Sequence, residues 1–323
     1  MSPRRRPSSD TVKRKTEMHL DPVQFDIVGG CQLRCVGCPS TTLARPVTMM
    51  EPSFFRTCLF NIDVDSIAVF RCFNYGEPLL HRQLPEIFSI LGEYRAQRVP
   101  IQSVEMSTNA QYANWDNLQT VLRMGVLNRL VVSCDGDGTP ASFERLRPPA
   151  RWHKLIDFLE RVSAIKAAEN SPVQLMTRTV VEDYSDCERW TSVLAPRGWT
   201  PEFRSWKYLP GSPQNMTGRA IRPAAGVCFF LEHTGQLYVD ADGTVVPCCV
   251  HPRAAVLGNL GTSTYSSIVN GGQRASFILS LKEKRQELPL CNVCEYGSVD
   301  SPGPSAGNRA PAPSPPLLWP TNS

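Results

Sequence analysis

The sequence lacks any long apolar run, and its body lacks a basic stripe. No stretch approaches the ~20 apolar residues that a membrane helix requires, and no apolar segment follows the basic residues near the N-terminus. Of the formal net charge of +4, residues 1–16 carry six basic groups and one acidic group, so the remainder sums to about −1. We therefore expect a cytoplasmic protein with no membrane and no nucleic acid among its partners.

Cysteine is too sparse for a disulfide scaffold. The chain has 12 cysteines among 323 residues, whereas small secreted domains stapled by disulfides are far richer in them. Many of the cysteines are grouped with the close spacing of metal ligands. This usage favours a reducing compartment and metal binding.

Three cysteines lie within eight residues, directly after a short apolar run that predicts the first strand. They are Cys31, Cys35 and Cys38. Iron–sulfur clusters are held by cysteine thiolates, usually four. Three thiolates from one loop can hold three corners of a four-iron cluster and leave one iron open, and an open metal position is reactive. A zinc knuckle and three unrelated cysteines are the alternatives.

Strands and helices alternate along residues 23–206 at the spacing of parallel βα units. Six strands are predicted, near 23–28, 67–73, 103–108, 129–133, 174–181 and 202–206. Six units are too few for a closed eight-stranded barrel. The predicted fold class is therefore α/β, a partial (β/α)6 TIM-like barrel that is open on one side.

Polar residues follow several of these strands at their carboxyl ends, where ligands collect in parallel α/β folds. An ordinary turn or a helix-surface arginine explains each of them separately, but their order behind the cysteine loop favours one binding site. The candidates are Gly76, Glu77, Pro78, Ser107, Asn109, Ser133, Asp135, Arg145 and Arg147.

The Cys-x3-Cys-x2-Cys loop followed by the Gly-Glu-Pro sequence at 76–78 resembles the signature of radical S-adenosylmethionine (SAM, AdoMet) enzymes. The resemblance implies a [4Fe–4S] cluster on Cys31, Cys35 and Cys38, with SAM on the fourth iron as the source of a 5′-deoxyadenosyl radical. The residue before the third cysteine is often aromatic in that family and lies against adenine. Here it is Gly37, which leaves the adenine platform uncertain.

The same resemblance assigns roles to the residues at the strand ends. It implies that the backbone at 76–78 receives the SAM amino group and that Ser107 and Asn109 contact the SAM carboxylate or ribose. It further implies that Asp135 accepts hydrogen bonds from ribose hydroxyls. The resemblance leaves open which of Arg145 and Arg147 pairs with the SAM carboxylate.

A second group of cysteines surrounds a predicted hairpin at Asp242-Gly243. It resembles the auxiliary-cluster module, of twitch or SPASM type, that some radical SAM enzymes carry, which implies a second [4Fe–4S] cluster with four cysteine ligands. A zinc ribbon is the alternative. The cysteines of this group are Cys228, Cys248, Cys249, Cys291 and Cys294.

Five cysteines for four ligand positions leave one over. Neighbouring residues at a strand end point in opposite directions, so one of Cys248 and Cys249 can bind the cluster while the other faces the barrel. We assign Cys248 as the ligand and Cys249 as a catalytic hydrogen-atom donor to a substrate radical. An inert spare cysteine is the alternative.

These interpretations divide the chain into five predicted segments. A disordered basic tail at 1–18 precedes the barrel at 19–209, and a linker at 210–226 leads to the auxiliary iron–sulfur domain at 227–296. A disordered Pro-rich tail follows at 297–323, because its composition cannot form a packed core.

The resemblance implies an enzyme of aminoglycoside-pathway type, with an amino sugar as its small-molecule substrate and flavodoxin or ferredoxin as its electron donor. We predict an epimerase; a dehydrogenase, a peptide-modifying maturase and a non-enzymatic zinc protein are alternatives. A polycationic substrate calls for carboxylates. Candidates for such an acidic rim, which a solvated loop explains as well, are Glu182, Asp183, Asp186, Asp240 and Asp242.

Overall fold

The structure is a computed structural model of the whole chain, and it describes residues 17–221, 228, 230 and 235–296. The predicted tails therefore lie outside the described residues, apart from 17 and 18. No helix in the described part of the chain is long and apolar enough to cross a membrane.

Six parallel strands form the predicted partial barrel, in the order of the sequence. A short strand, β1 (His19–Leu20), pairs with β3 outside this series. The six strands are β2 (Val23–Phe25), β3 (Ser66–Arg71), β4 (Ile101–Thr108), β5 (Arg129–Asp135), β6 (Gln174–Val181) and β7 (Thr200–Ser205). The predicted α/β barrel is confirmed.

Helices connect the strands and bury their apolar faces against the sheet. For example, Leu118, Val121 and Leu122 of α4 are buried at the spacing of one helical face, and the Asn114 side chain caps its first turn by accepting from Asn117 N. The helices here are α1 (Ser40–Leu43), α2 (Pro52–Phe60), α3 (Leu84–Gln97), α4 (Trp115–Arg123), α5 (Pro140–Leu146), α6 (Trp152–Ala168) and α7 (Ser185–Leu194).

Two of these helices were not predicted because both are short. Helix α1 has four residues and follows Cys38 and Pro39 directly. Helix α5 begins with a proline and is capped by Thr139, whose side chain accepts from Ser142 N. The Phe-Glu-Arg-Leu-Arg segment at 143–147 forms the end of this helix and its C-terminal cap.

The C-terminal part continues the barrel sheet. Strands β8 (Leu237–Val239) and β9 (Thr244–Val246) form the predicted hairpin, and Gly243 supplies the positive φ that its turn requires. Strand β8 pairs in parallel with β2, and β10 (Gly258–Asn259) pairs with β9. Helices α8 (Tyr265–Val269) and α9 (Gly272–Lys284) follow.

The segment after β7 lies against the cysteine loop. Ser212 Oγ donates to the carbonyl of Gly37 at 3.0 Å, and Gln214 N donates to the carbonyl of Val36 at 3.2 Å. The described part of the predicted linker therefore helps to hold the loop that carries the three cysteines.

Candidate active site

A cavity of about 800 Å³ opens at the carboxyl ends of the barrel strands. The cysteine loop, the loop after β3 and the ends of β4, β5 and β7 contribute its walls. Its volume lies in the range of sites that enclose a cofactor or a drug-sized ligand.

Cys31, Cys35 and Cys38 all line this cavity. Cys31 Sγ accepts from Leu33 N and from Asn109 Nδ2, each at 3.4 Å, and burial raises the pKa of Cys31 to about 11. Burial also raises the pKa of Cys38, to about 12. Because a thiolate is disfavoured here without a cation, the donor set fits a metal cluster that supplies the compensating positive charge.

Among the described residues, no three His, Cys, Asp or Glu side chains meet closely enough to hold one metal ion. The cysteines instead border two cavities, one in the barrel and one in the C-terminal part.

Gly76 lies in contact with the strand that leads into the cysteine loop. A Cβ at this position would stand 1.6 Å from the carbonyl oxygen of Val28, so only glycine fits. The carboxylate of Asp26 accepts from Gly76 N at 2.9 Å and from Tyr75 N at 3.2 Å. These contacts fix the backbone of the Gly-Glu-Pro segment against the cysteine loop.

Glu77 lines the cavity but uses its carboxylate inside the protein. It accepts from Thr108 Oγ1 at 2.6 Å and from Asn109 N at 2.7 Å, and burial raises its pKa to about 7. Glu77 therefore joins the loop after β3 to the end of β4. Pro78 begins a short 3₁₀ turn and is buried away from the cavity wall.

The predicted polar residues at the ends of β4 and β5 come together. Ser107, Asn109, Ser133 and Asp135 all line the cavity, and the two serine hydroxyls are 3.4 Å apart. Their neighbourhood follows from the parallel pairing of the two strands.

The structure separates the two candidate arginines. Arg147 is buried, lines the cavity and forms an ion pair with Asp135. Its Nε has no hydrogen-bond partner among the described atoms, although it is buried. Arg145 is exposed in the last turn of α5 and does not reach the cavity, because a shift of two residues along a helix turns the side chain to the opposite side.

An aromatic ring stands beside Gly37. A Cβ on Gly37 would lie 2.6 Å from Cζ3 of Trp206, so this ring fills the space that a side chain at position 37 would need. Trp206 follows β7 and lines the cavity, and its Nε1 is buried without a described partner. A tryptophan distant in sequence thus brings an aromatic surface next to the third cysteine.

None of the five carboxylates of the predicted acidic rim is among the described residues that line the cavity. Glu182 and Asp183 are exposed, Asp186 caps the turn at Asp183 N, and Asp242 lies in the hairpin turn. Asp240 pairs with Arg45. The carboxylates of Asp183, Asp186 and Asp242 instead accept from backbone N–H groups of their own turns.

The cavity contains basic residues that the sequence analysis did not predict. Arg178, Arg204 and Lys207 line it, together with Tyr75 and Tyr296. The available signal was a charged residue in the middle of an otherwise uncharged strand, Arg178 in β6. A buried charge of this kind needs partners that only the folded barrel brings near.

A second, smaller cavity contains four cysteines of the C-terminal group. Cys228, Cys248, Cys291 and Cys294 line it, and Cys249 does not. The guanidinium of Arg285 donates to the carbonyls of Cys291 and Cys294, each at 3.1 Å, and so fixes the Cys-x-x-Cys turn. The arrangement fits one four-ligand cluster.

Cys249 faces a different environment from Cys248. Its thiol lies near the hydroxyl of Tyr238, which donates to Gln236 Oε1 at 3.0 Å, and its carbonyl accepts from Tyr75 Oη at 2.7 Å. Arg71 and Arg204 oppose the effect of burial, which raises the pKa of the thiol. Two of these neighbours, Tyr75 and Arg204, line the barrel cavity.

Comparison with known proteins supports this description. Residues 228–295 match the SPASM family model, an iron–sulfur cluster-binding domain. The structure of BtrN in complex with AdoMet and 2-DOIA is similar at a TM-score of 0.53, with 20% identity over 88% of this chain and 96% of that chain. A search of curated protein sequences finds no match.

Native anSMEcpe with bound AdoMet is similar at a TM-score of 0.61, with 15% identity over 87% of this chain and 91% of that chain. The same protein with AdoMet and the Cp18Cys peptide gives a TM-score of 0.58, with 14% identity over 85% and 88%. The chain therefore has the barrel fold of these AdoMet-bound proteins.

The chain thus combines the fold of these AdoMet-bound barrel proteins with a match to a SPASM iron–sulfur domain at 228–295, and at this level the predicted resemblance is confirmed. The matched domain and the AdoMet-bound neighbours support the predicted cofactors, SAM and two [4Fe–4S] clusters.

Substitution of Gly76 by alanine tests the contact between the two loops. We expect Gly76→Ala to lose about 3 kcal/mol of unfolding free energy, because a Cβ forces backbone out of place. Gly272→Ala is the matched control, since a Cβ there meets nothing within 4 Å. Urea unfolding followed by circular dichroism measures both, and equal midpoints for Gly76→Ala and wild type would contradict the assignment.

Proposed function

We propose that the chain is a radical SAM enzyme whose reaction takes place in the barrel cavity. The observation that carries this proposal is that all three thiols of the Cys-x3-Cys-x2-Cys loop face one cavity with the polar ends of β4 and β5. When bound there, the cluster and SAM supply a 5′-deoxyadenosyl radical that removes a hydrogen atom from the substrate.

The residues around the cysteines suit the groups of SAM. Gly76 lines the cavity, and because its N–H already donates to Asp26, its carbonyl is the proposed acceptor for the SAM amino group. Arg147 offers a buried guanidinium to the SAM carboxylate. Asp135 Oδ2 is taken by Arg147, and no described residue donates to Oδ1, which leaves that oxygen for ribose hydroxyls.

Ser107, Ser133 and Asn109 supply further hydrogen-bonding groups beside the cysteine loop. The amide of Asn109 already contacts Cys31 Sγ and Gln32, so it positions the loop as well as facing the cavity. Trp206 offers the flat apolar surface against which an adenine ring stacks.

Four cysteines of the C-terminal domain, Cys228, Cys248, Cys291 and Cys294, would hold the auxiliary cluster. Because these four complete the ligand set, that cluster has no open iron and is suited to electron transfer or to structure. The separation of Cys248 from Cys249 in the structure supports the assignment of Cys248 as the ligand.

Cys249 is the proposed hydrogen-atom donor, which makes the enzyme an epimerase. Its S–H bond breaks as a new C–H bond forms on the face of the substrate radical opposite to the face that lost hydrogen. The thiyl radical that remains is reduced to the thiol by one electron and one proton, the electron coming from a flavodoxin- or ferredoxin-type donor. The hydroxyl of Tyr238 lies near this thiol.

The complete ligand set of the auxiliary cluster favours a second candidate, a dehydrogenase in which the substrate radical gives an electron to that cluster. Product mass separates the two reactions. Epimerisation leaves the mass unchanged apart from solvent deuterium, whereas dehydrogenation removes two hydrogens. The neighbours carry a small molecule in one case and a peptide in the other, so they do not decide between substrate classes.

Removal of one thiol from the first loop tests the radical source. We expect Cys31→Ala, Cys35→Ala and Cys38→Ala each to lose about half of the iron of the reconstituted protein and all formation of 5′-deoxyadenosine. Cys187→Ala is the control, because Cys187 lies on α7 outside both cavities. Persistent 5′-deoxyadenosine in the loop variants, measured anaerobically with SAM and dithionite, would refute the proposal.

Removal of the Cys249 thiol tests the hydrogen donor. We expect Cys249→Ala to keep its iron and its SAM cleavage but to form no inverted product, whereas Cys248→Ala loses auxiliary iron. In deuterated buffer, wild type should place one deuterium on the inverted carbon of a candidate sugar, as read by mass spectrometry. Deuterium incorporation that survives in Cys249→Ala would place the donor elsewhere.

A further inference from the structure

A basic cluster, defined as Arg178, Arg204 and Lys207, forms one side of the barrel cavity. Arg178 lies in β6 and Arg204 in β7, where it pairs with Val180, and Lys207 follows β7. Arg204 and Lys207 are exposed to the cavity, while Arg178 is deeper, with its side chain 20% exposed. The cysteine loop contributes the other side.

Carboxylates neutralise only part of this charge. Glu105 accepts from Arg178 at 2.9 Å and also pairs with Arg71 at 3.4 Å. Glu202 pairs with Arg204 and lies 3.8 Å from Arg178. Four cations, with Arg71 included, thus face two carboxylates, which leaves an excess of two positive charges.

Lys207 contributes most clearly to the excess. Among the described residues, no carboxylate forms an ion pair within 4.0 Å of its amino group, and the nitrogen lies 5.6 Å from the centroid of the Tyr296 ring. Burial and the charge of Arg204 lower the pKa of Lys207. The repulsion between the charges of Lys207 and Arg204 decreases when an anion binds between the two side chains.

The other charges near the cavity do not cancel this excess. Asp135 pairs with Arg147, and Glu295, which faces Lys207, pairs with Arg219 at 3.5 Å. The carboxylate of Glu77 accepts hydrogen bonds from Thr108 Oγ1 and Asn109 N. Arg178 Nε is buried with no described partner, so a hydrogen-bond donor remains available on this side of the cavity.

We propose that the basic cluster binds a dianionic group of the substrate, of the phosphate-monoester class, and that the substrate is a phosphorylated small molecule rather than a polycation. A phosphate monoester carries about −1.5 to −2 charges and accepts several hydrogen bonds, which matches an excess of two positive charges. Guanidinium groups suit its oxygens, and an ammonium group adds a point charge. This inference rests on the proposed function, since it concerns the same cavity.

Binding of simple probes to the full-length, anaerobically reconstituted protein with SAM tests the inference. Isothermal titration calorimetry compares inorganic phosphate and glucose 6-phosphate with sulfate, glucuronate, an acidic peptide and glucosamine. We expect glucose 6-phosphate to bind most tightly and inorganic phosphate to compete with it. Tighter binding of sulfate, glucuronate, the peptide or glucosamine would overturn the proposal.

Variants locate the site. We expect Lys207→Gln and Arg204→Gln each to weaken glucose 6-phosphate binding by roughly 10-fold, because each removes a charge-assisted contact. Lys154→Gln and Arg82→Gln are matched controls on exposed positions outside the cavity and should bind as wild type does. Lys207→Gln removes no described ion pair, so it tests the site even if variants of Arg178 fail to fold. Unchanged binding in both cluster variants would overturn the assignment.

Experiments can contradict the dianion site and the radical chemistry independently of each other. If the wild type forms 5′-deoxyadenosine but binds none of the phosphate probes, the dianion site is wrong and the radical enzyme stands. If it binds glucose 6-phosphate through Lys207 but neither holds iron nor cleaves SAM, the radical chemistry is wrong and the dianion site stands.

Discussion

The contact between the cysteine loop and the loop after β3 is the constraint on which the site depends. Glu77 N donates to the carbonyl of Gly30 at 3.0 Å, and the carbonyl of Val28 fills the place of a side chain at Gly76. The carboxylate of Asp26 accepts from the backbone N–H groups of Tyr75 and Gly76 and so adds a third contact between the two loops. Burial raises the pKa of Asp26 to about 6, and the charge of Arg45 opposes that rise. With both loops locked on neighbouring parallel strands, the three thiols and the end of β3 share one cavity.

The cavity has two chemically different sides. Beside the cysteines lie hydroxyl and amide groups and two internally paired carboxylates, Glu77 and Asp135, which suit a cofactor of mixed polarity. Along β6 and β7 the wall is cationic, because its three basic residues outnumber the two carboxylates, Glu105 and Glu202, that its arginines contact. We interpret the first side as the place of SAM and the second as the place of the substrate. The Cys249 thiol is not itself among the residues that line the cavity, but Arg204 of the second side is one of the charged groups near it.

The fold and the cysteine groups could be predicted because their signals are local. Alternating strands and helices gave the six-stranded barrel, and the spacing of Cys31, Cys35 and Cys38 indicated the cluster loop. Which of Arg145 and Arg147 reaches the cavity depended on the phase of a short helix. The position of a carboxylate after a strand did not indicate whether its side chain lines the cavity, and none of the five predicted rim residues does. Trp206 lies beside the cysteine loop, and Lys207 lies on the basic side. Both positions depend on the path of the chain after β7, which no local sequence pattern predicts.

The most direct measurement of the central claim is electron paramagnetic resonance of the reduced, reconstituted protein with and without SAM, together with its iron and sulfide content. The account predicts about eight irons and eight sulfides per chain, with the signal of one cluster altered by SAM and the other unchanged. A protein that holds zinc without sulfide, or whose cluster signals do not respond to SAM, would contradict it.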